Sequence, residues 1–291
     1  MKWGAAILLV GATFSGRAAT TINATDRHAY GANFGWLDWR GDTNNGAVIG
    51  EHVCSGYMYS ANVGWIHLGS NTPANQIQYQ NNSATDYGVN HDGLGNLRGY
   101  AYGANIGWIN FETNGNPRVD LKTGTLSGYA YGANCGWISL SNAFAHVQTD
   151  IIQPGTDSDG DGITDAWELS YTNTLATFSA VSDFDGDGMS DLAEHRADTS
   201  PFDPNDLLRI TAYSTTFGGG NETNTLTWTS KPTRCYQLDC RTNLSAGSLW
   251  TSSSGVIAPD PGTATARLLI LPGSPLVERY FRVEAFKPLT P

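Results

Sequence analysis

Residues 128–140 spell GYAYGANCGWISL; the phrase also stands at 99–111 as GYAYGANIGWINF, at 56–68 as GYMYSANVGWIHL, and at 29–39 as AYGANFGWLDW. Aligned on Asn33, Asn62, Asn105 and Asn134, the copies are spaced by 29, 43 and 29 residues, so the register is regular apart from about fourteen extra residues in the middle. A period of this length marks modular architecture. Each copy holds two short aromatic runs, such as Tyr100–Tyr102 and Trp108–Phe111, joined by Gly, Ala, Asn, a variable residue and Gly. Gly and Asn reach positive φ cheaply, so the pattern predicts a β-hairpin with a turn of three to five residues.

Period-two alternation puts Tyr100, Tyr102, Trp108 and Asn110 on one face and Ile109 and Phe111 on the other, so both faces carry apolar residues. Strands of that kind need cover on both sides, which predicts a sandwich, barrel or solenoid of hairpins over residues 19–150. The repeated Trp36, Trp65, Trp108 and Trp137 are expected in equivalent, mostly buried positions of a shared core, and the Asn in its turn. The alternative is a row of aromatics that stack on sugar rings, helped by nearby amides such as Asn71, Asn75, Gln76, Asn81 and Asn82. The phrase resembles a GxAxxxNxGWIxF repeat of bacterial exported proteins of unknown function, which implies no activity.

The net charge of −11 belongs to one segment. Between Asp157 and Asp206 there are 13 acidic residues and one basic residue, Arg196, and the remainder is nearly neutral. Within it, DSDGDGITDAWE (157–168) and DFDGDGMSDLAE (183–194) carry carboxylates at positions 1, 3, 5, 9 and 12 around a Gly at position 6. That is the ligand spacing of a calcium loop, because calcium takes six to eight hard oxygens and the chain must bend sharply around it. The expected ligands are Asp157, Asp159, Asp161, the Ile163 carbonyl, Asp165 and Glu168 for one ion, and Asp183, Asp185, Asp187, the Met189 carbonyl, Asp191 and Glu194 for a second. Without a cation these carboxylates repel one another.

The Pro and Gly of IIQPGT (151–156) exclude an incoming helix, and only a short outgoing helix, about Asp165–Tyr171, is expected. Position 8 is polar, Thr164 or Ser190, where paired EF-hands carry an apolar residue. The segment 151–206 therefore resembles thrombospondin type 3 calcium repeats or a dockerin more than a calcium sensor, and TSPFDPND (199–206) is similar to the closing phrase of bacterial repeats of the first kind. Such a resemblance implies calcium as a folding staple.

From Leu207 onward, alternating runs (LRITAYSTT, TLTWTS, CYQLDC, LWTSSSGVI, ATARLLIL, RYFRVEAF) predict a small β-sandwich over 207–291. Its order resembles a fibronectin type III-like domain. The fold class is thus mainly β: hairpin repeat domain, loop-helix calcium segment, sandwich.

Residues 1–18 combine a lysine, an apolar run and small residues before a cut after Ala18, as a secretory signal does. No later run is long enough for a membrane span, and no basic stripe serves nucleic acid. Cys235 and Cys240 alternate to opposite faces about 16 Å apart, too far to bridge, whereas Cys54 and Cys135 could form one disulfide. No GxSxG, HExxH or P-loop occurs, and the six histidines stand singly. Asp38, Glu112 and Asp120 are the carboxylates that a hidden glycosidase site in the repeat domain would draw on. The sequence points to a secreted or surface (or periplasmic) non-enzymatic calcium protein serving adhesion, surface assembly or glycan binding, with a glycan or surface protein as partner; the rivals are a dockerin-like tether and a hidden carbohydrate-active enzyme.

Overall fold

A glycine closes each repeated turn, paired with a glycine in three hairpins and with Ser60 in the second, and this pairing sets the hairpins. In the computed structural model, which describes residues 20–41, 44–245, 248–272 and 278–290, Gly31 pairs with Gly35, Ser60 with Gly64, Gly103 with Gly107 and Gly132 with Gly136. Three residues remain for each turn, and the closing glycine takes a positive φ (+86°, +79°, +74° and +74°) that a side chain would oppose. The signal-peptide expectation, on residues 1–18, lies outside the described residues.

The four hairpins supply β1 (Ile22–Gly31) and β2 (Gly35–Asp38), β3 (Cys54–Ser60) and β4 (Gly64–Gly69), β5 (Leu97–Gly103) and β6 (Gly107–Asn110), and β7 (Tyr129–Gly132) and β8 (Gly136–Ser139). They pair in chain order, and β8 returns to β1 through Tyr30↔Ser139 and Gly31↔Ile138, which closes an eight-stranded antiparallel barrel. The seams share one register: Gly103 faces Ile66, Gly132 faces Ile109 and Gly31 faces Ile138. The repeat is a unit of barrel symmetry, and of the three architectures expected the barrel is the one formed.

The interior of an eight-stranded barrel is just wide enough for side chains to fill it. Here Ala29, Met58, Ala101 and Ala130 alternate with Leu37, Ile66, Ile109 and Ile138 in one layer, all buried. Trp39, Leu68, Phe111 and Leu140, two residues further along each hairpin, form the next layer, with the rings of Trp39 and Phe111 edge to face. The turn residues Phe34, Ile106 and Cys135 are buried at the turn end, and half-buried Val63 packs beside them.

The aromatic face points the other way. Trp36, Trp65, Trp108 and Trp137 are 45 to 51% exposed, and each meets its cross-strand tyrosine at ring-centroid distances of 4.8 to 5.1 Å. The expectation of mostly buried tryptophans is corrected on this point, as is the expectation that both faces need cover. The strand period that aims Ile109 inward must aim Trp108 outward. Closure then leaves no second layer, and the rings shield one another sideways.

Cys54 and Cys135 are unbridged. Cys54 begins β3 at the end opposite the turns, while Cys135 sits in a turn, so the pairing weighed from sequence is not made. Cys235 and Cys240 are free as well.

The C-terminal strands β9 (Ile210–Gly218), β10 (Asn221–Thr229), β11 (Cys235–Arg241), β12 (Thr251–Ser252), β13 (Ala264–Pro272) and β14 (Tyr280–Phe286) form two three-stranded sheets, β9-β10-β13 and β12-β11-β14. They enclose Leu226, Trp228, Tyr236 and Leu238. This is the sandwich expected.

Candidate metal centre

Between the two β bodies lie α1 (Asp165–Tyr171) and α2 (Asp191–Ala197), each following one acidic loop. The loops are built alike because their glycines are: Gly160 and Gly162 take φ of +79° and +94°, and Gly186 and Gly188 take +78° and +97°. Asp157 at position 1 accepts from the amides of Gly160 (2.7 Å) and Gly162 (2.9 Å). Asp183 accepts in the same way from Gly186 (2.8 Å) and Gly188 (3.0 Å). Asp161 and Asp187 accept from the amides of Ile163 (2.8 Å) and Met189 (2.6 Å).

The outcome is two carboxylate clusters. One oxygen from each of Asp157, Asp159 and Asp161 lies within 4.8 Å of the others, and the same holds for Asp183, Asp185 and Asp187. Glu168 and Glu194, at position 12, are fully buried. Burial, with the charges of Asp159 and Asp161, raises the Glu168 carboxyl to about 7; burial, with Asp185 and Asp187, raises Glu194 to about 7. Asp161 and Asp185 are raised too, again chiefly by burial.

A polar oxygen buried without a partner is costly and calls for an explanation. Among the described residues, the buried carboxylate oxygens in that condition are Asp161 Oδ2, both oxygens of Glu168, Asp185 Oδ2, Asp187 Oδ2 and Glu194 Oε2. All stand at positions 3, 5 and 12 of the two loops. Hard, anionic and partnerless, they fit a calcium ion, and the residues present can hold it.

Position 9 behaves differently. Asp165 accepts from the amide (2.7 Å) and hydroxyl (2.6 Å) of Ser158, and Asp191 accepts from Ser182 Oγ and from the amides of Phe184 (3.0 Å) and Ser179 (3.3 Å). These two carboxylates fasten the start of each loop to its helix. Ser190, at position 8, caps α2 by accepting from Ala193 N (3.3 Å), and Thr164 Oγ1 lies 3.1 Å from His195 Nε2, joining the two repeats.

His195 belongs to a buried junction that no motif announced. Its Nε2 lies 2.8 Å from Lys287 Nζ, so it accepts from the ammonium and the ring is neutral. Burial and the Lys287 charge lower its pKa to about 3. Lys287 also pairs with Glu51 of the barrel domain at 2.5 Å. Burial works to raise Glu51, but Lys287 and His52 outweigh it and hold the carboxyl down at about 2. Arg234 donates to the carbonyls of His195 (3.0 Å) and Arg196 (2.8 Å), and Ile152 N donates to Leu289 O (2.9 Å). Barrel, calcium segment and sandwich therefore meet directly. The residues lie far apart in sequence, and nothing in their local patterns marks them.

The model of the bacterial TSP3 repeat matches residues 157–174. No curated protein and no solved structure matches the chain. The first acidic loop and α1 thus carry the likeness to a calcium-binding repeat found in extracellular bacterial proteins. Among the described residues no helix is long and apolar enough to cross a membrane.

Proposed function

We propose that the chain is a secreted, non-enzymatic, calcium-braced modular protein, working in adhesion to carbohydrate-bearing surfaces. The observation that carries the brace is the set of partnerless carboxylate oxygens at loop positions 3, 5 and 12. Two ions, one per loop, would be held by Asp157, Asp159, Asp161, the Ile163 carbonyl and Glu168, and by Asp183, Asp185, Asp187, the Met189 carbonyl and Glu194. Asp165 and Asp191 hold the loops in shape around them. Calcium supplies the positive charge that lets these carboxylates stay ionised at close range. Glu194 adjoins His195, so the second ion stabilises the segment that docks barrel and sandwich.

Carbohydrate is favoured as the contacted chemistry by the solvent-facing Tyr–Trp pair on every hairpin. Against a hidden glycosidase, the candidate carboxylates are engaged locally. Asp38 pairs with Arg27 (3.5 Å), Glu112 accepts from Gly99 N (3.0 Å), and Asp120 accepts from Lys122 N (2.8 Å) and Thr123 N (3.0 Å). Against a dockerin-like tether, both helices have seven residues and are buried over four of them within this chain.

Calorimetric titration tests the brace. Two calcium ions are expected to bind, and one after Asp157→Ala with Glu168→Ala; unchanged stoichiometry in that variant defeats the assignment. A neutral glycan array probed with the calcium-loaded protein tests the adhesion reading.

A further inference from the structure

The fourteen extra residues between the second and third repeats give one hairpin something the others lack. On every hairpin the tryptophan meets a cross-strand tyrosine and a second aromatic ring diagonal to it: His28, Tyr57, Tyr100 or Tyr129. Only at Trp108 does the inserted segment add a third ring, Tyr87, edge-on at 4.9 Å. The result is a cleft of about 410 Å³ lined by Asn81, Asn82, Ser83, Tyr87, Tyr100 and Trp108.

The segment is built to hold that shape. Tyr79 is buried and its hydroxyl donates to Cys54 O (3.3 Å), while Asn90 grips its backbone through Tyr79 N (2.9 Å) and Tyr79 O (2.9 Å). Buried Asp86 accepts from the amides of Ala74 (3.2 Å) and Gln80 (3.2 Å). Asn81 sits at φ +55°, and its Oδ1 accepts from Gly88 N (3.0 Å). Tyr87 is fixed from the other side by His67 Nδ1, 2.8 Å from its hydroxyl. The rings are therefore placed before any ligand arrives, which reduces the ordering cost of binding.

The lining selects the occupant. It holds no ionisable acid or base that is charged at neutral pH, so it offers no counter-charge to phosphate, an acidic glycan or a basic peptide. Half-exposed aromatic rings with amides and a hydroxyl at the rim match a sugar, whose ring presents C–H groups on its face and hydroxyls at its edge. A membrane is the poorer match: seven of the eight barrel strands have only four to seven residues, short of the roughly nine to eleven of a spanning strand, and the cleft is concave.

We propose that the cleft formed by Tyr87, Tyr100 and Trp108 with Asn81, Asn82 and Ser83 is the primary subsite for an uncharged oligosaccharide, the other hairpins being secondary contacts. This rests on the adhesion reading above and localises it. Exposed Asn82 supplies the amide to the sugar hydroxyls, because Asn81 is committed to its own loop.

The test is tryptophan fluorescence and calorimetric titration of the full chain with neutral gluco-, manno-, galacto- and xylo-oligosaccharides, with polygalacturonate and phosphatidylcholine/phosphatidylglycerol vesicles as comparison probes. The expected result is saturable binding of a neutral oligosaccharide, weakened at least tenfold by Tyr87→Ala and several-fold by Asn82→Ala. Tyr87→Phe, which keeps the ring, should restore most of it, and Tyr129→Ala on the fourth hairpin should change it less than threefold. A Tyr87→Ala protein that has lost its cooperative melting is judged by Asn82→Ala, whose side chain is exposed. Binding that survives both cleft variants but falls in Tyr129→Ala overturns the subsite and leaves the adhesion reading standing. Wild-type binding to vesicles or polygalacturonate, with none to neutral oligosaccharides, overturns both.

Discussion

The side-chain amide of Asn33, in the first hairpin turn, donates to the carbonyl of Cys135 in the last, at 3.3 Å. Asn134 donates likewise to Ile106 O (3.1 Å), Asn105 to Val63 O (3.1 Å) and Asn62 to Phe34 O (2.8 Å), so the four asparagines hand one hydrogen bond around the rim until it returns to its start. Each bond joins neighbouring hairpins, and the Asn33 bond spans the seam that closes the barrel. Replacing Asn33 by Ala should therefore cost about 1 kcal/mol, and chemical denaturation should find a similar loss for Asn105→Ala. A much larger loss at Asn33 alone would mean that closure depends on this one bond.

The inside–outside assignment predicts an ordering of adjacent residues. Ile109 is fully buried in the barrel, so Ile109→Ala should cost about 2–5 kcal/mol. Trp108 keeps half its surface in water and offers mainly its ring contacts, so Trp108→Ala should cost only about 1 kcal/mol. Equilibrium unfolding of the pair checks this, and a larger loss at Trp108 would restore the reading of the tryptophans as core.

These two predictions mark what the chain discloses in one dimension. The hairpins are legible because Gly31–Gly35 and its copies encode their own turn, and α1 is legible because positions 9 and 12 of a calcium loop begin a helix. The direction of the rings is not legible: alternation separates Trp108 from Ile109 but does not say which face a closed sheet turns inward. That is decided by a seam between Tyr30 and Ser139, at opposite ends of the repeat region. The clustering of Asp157, Asp159 and Asp161, and of Asp183, Asp185 and Asp187, could be read from spacing, yet the turning of Asp165 toward Ser158 depends on side-chain partners that spacing does not reveal. The junction of Glu51, His195 and Lys287 depends on three separate elements meeting.

Calcium affinity should depend on pH. Glu168 and Glu194 have folded, calcium-free pKa values of about 7 against an ordinary 4.5, so between those values the folded segment holds protons that the unfolded chain has released. Their contribution to calcium-free stability is present below about pH 4.5 and is lost as pH rises through 7. Calcium needs the deprotonated form, so its affinity should rise over the same window. Titrations at pH 5.5 and 7.5 should show clearly weaker binding at the lower value, and chelated protein should melt lower at pH 7.5 than at pH 5.5. Equal affinities would mean that neither glutamate is a ligand.

The junction predicts how the bodies respond to losing the ions. Lys287 is well buried between Glu51 and His195, so Lys287→Met leaves the Glu51 carboxylate buried without its counter-charge. A loss of about 3–5 kcal/mol is expected, because breaking one half of a buried pair exposes the full desolvation penalty of the other. Lys231→Met, which removes a more exposed pair with Asp206, should cost at most about 1 kcal/mol. Glu51→Gln added to Lys287→Met should recover much of the loss, since neither member of that pair then carries a charge. Barrel and sandwich touch directly through Ile152 and Leu289 as well as through the acidic segment, so chelation alone should leave the wild-type particle nearly as compact in small-angle scattering. In Lys287→Met the calcium segment becomes the main remaining tie, and chelation should then lengthen the particle while the circular dichroism of the β bodies stays nearly constant. A wild-type particle that extends on chelation would mean that the ions, rather than the Glu51–Lys287 contact, hold the two bodies together.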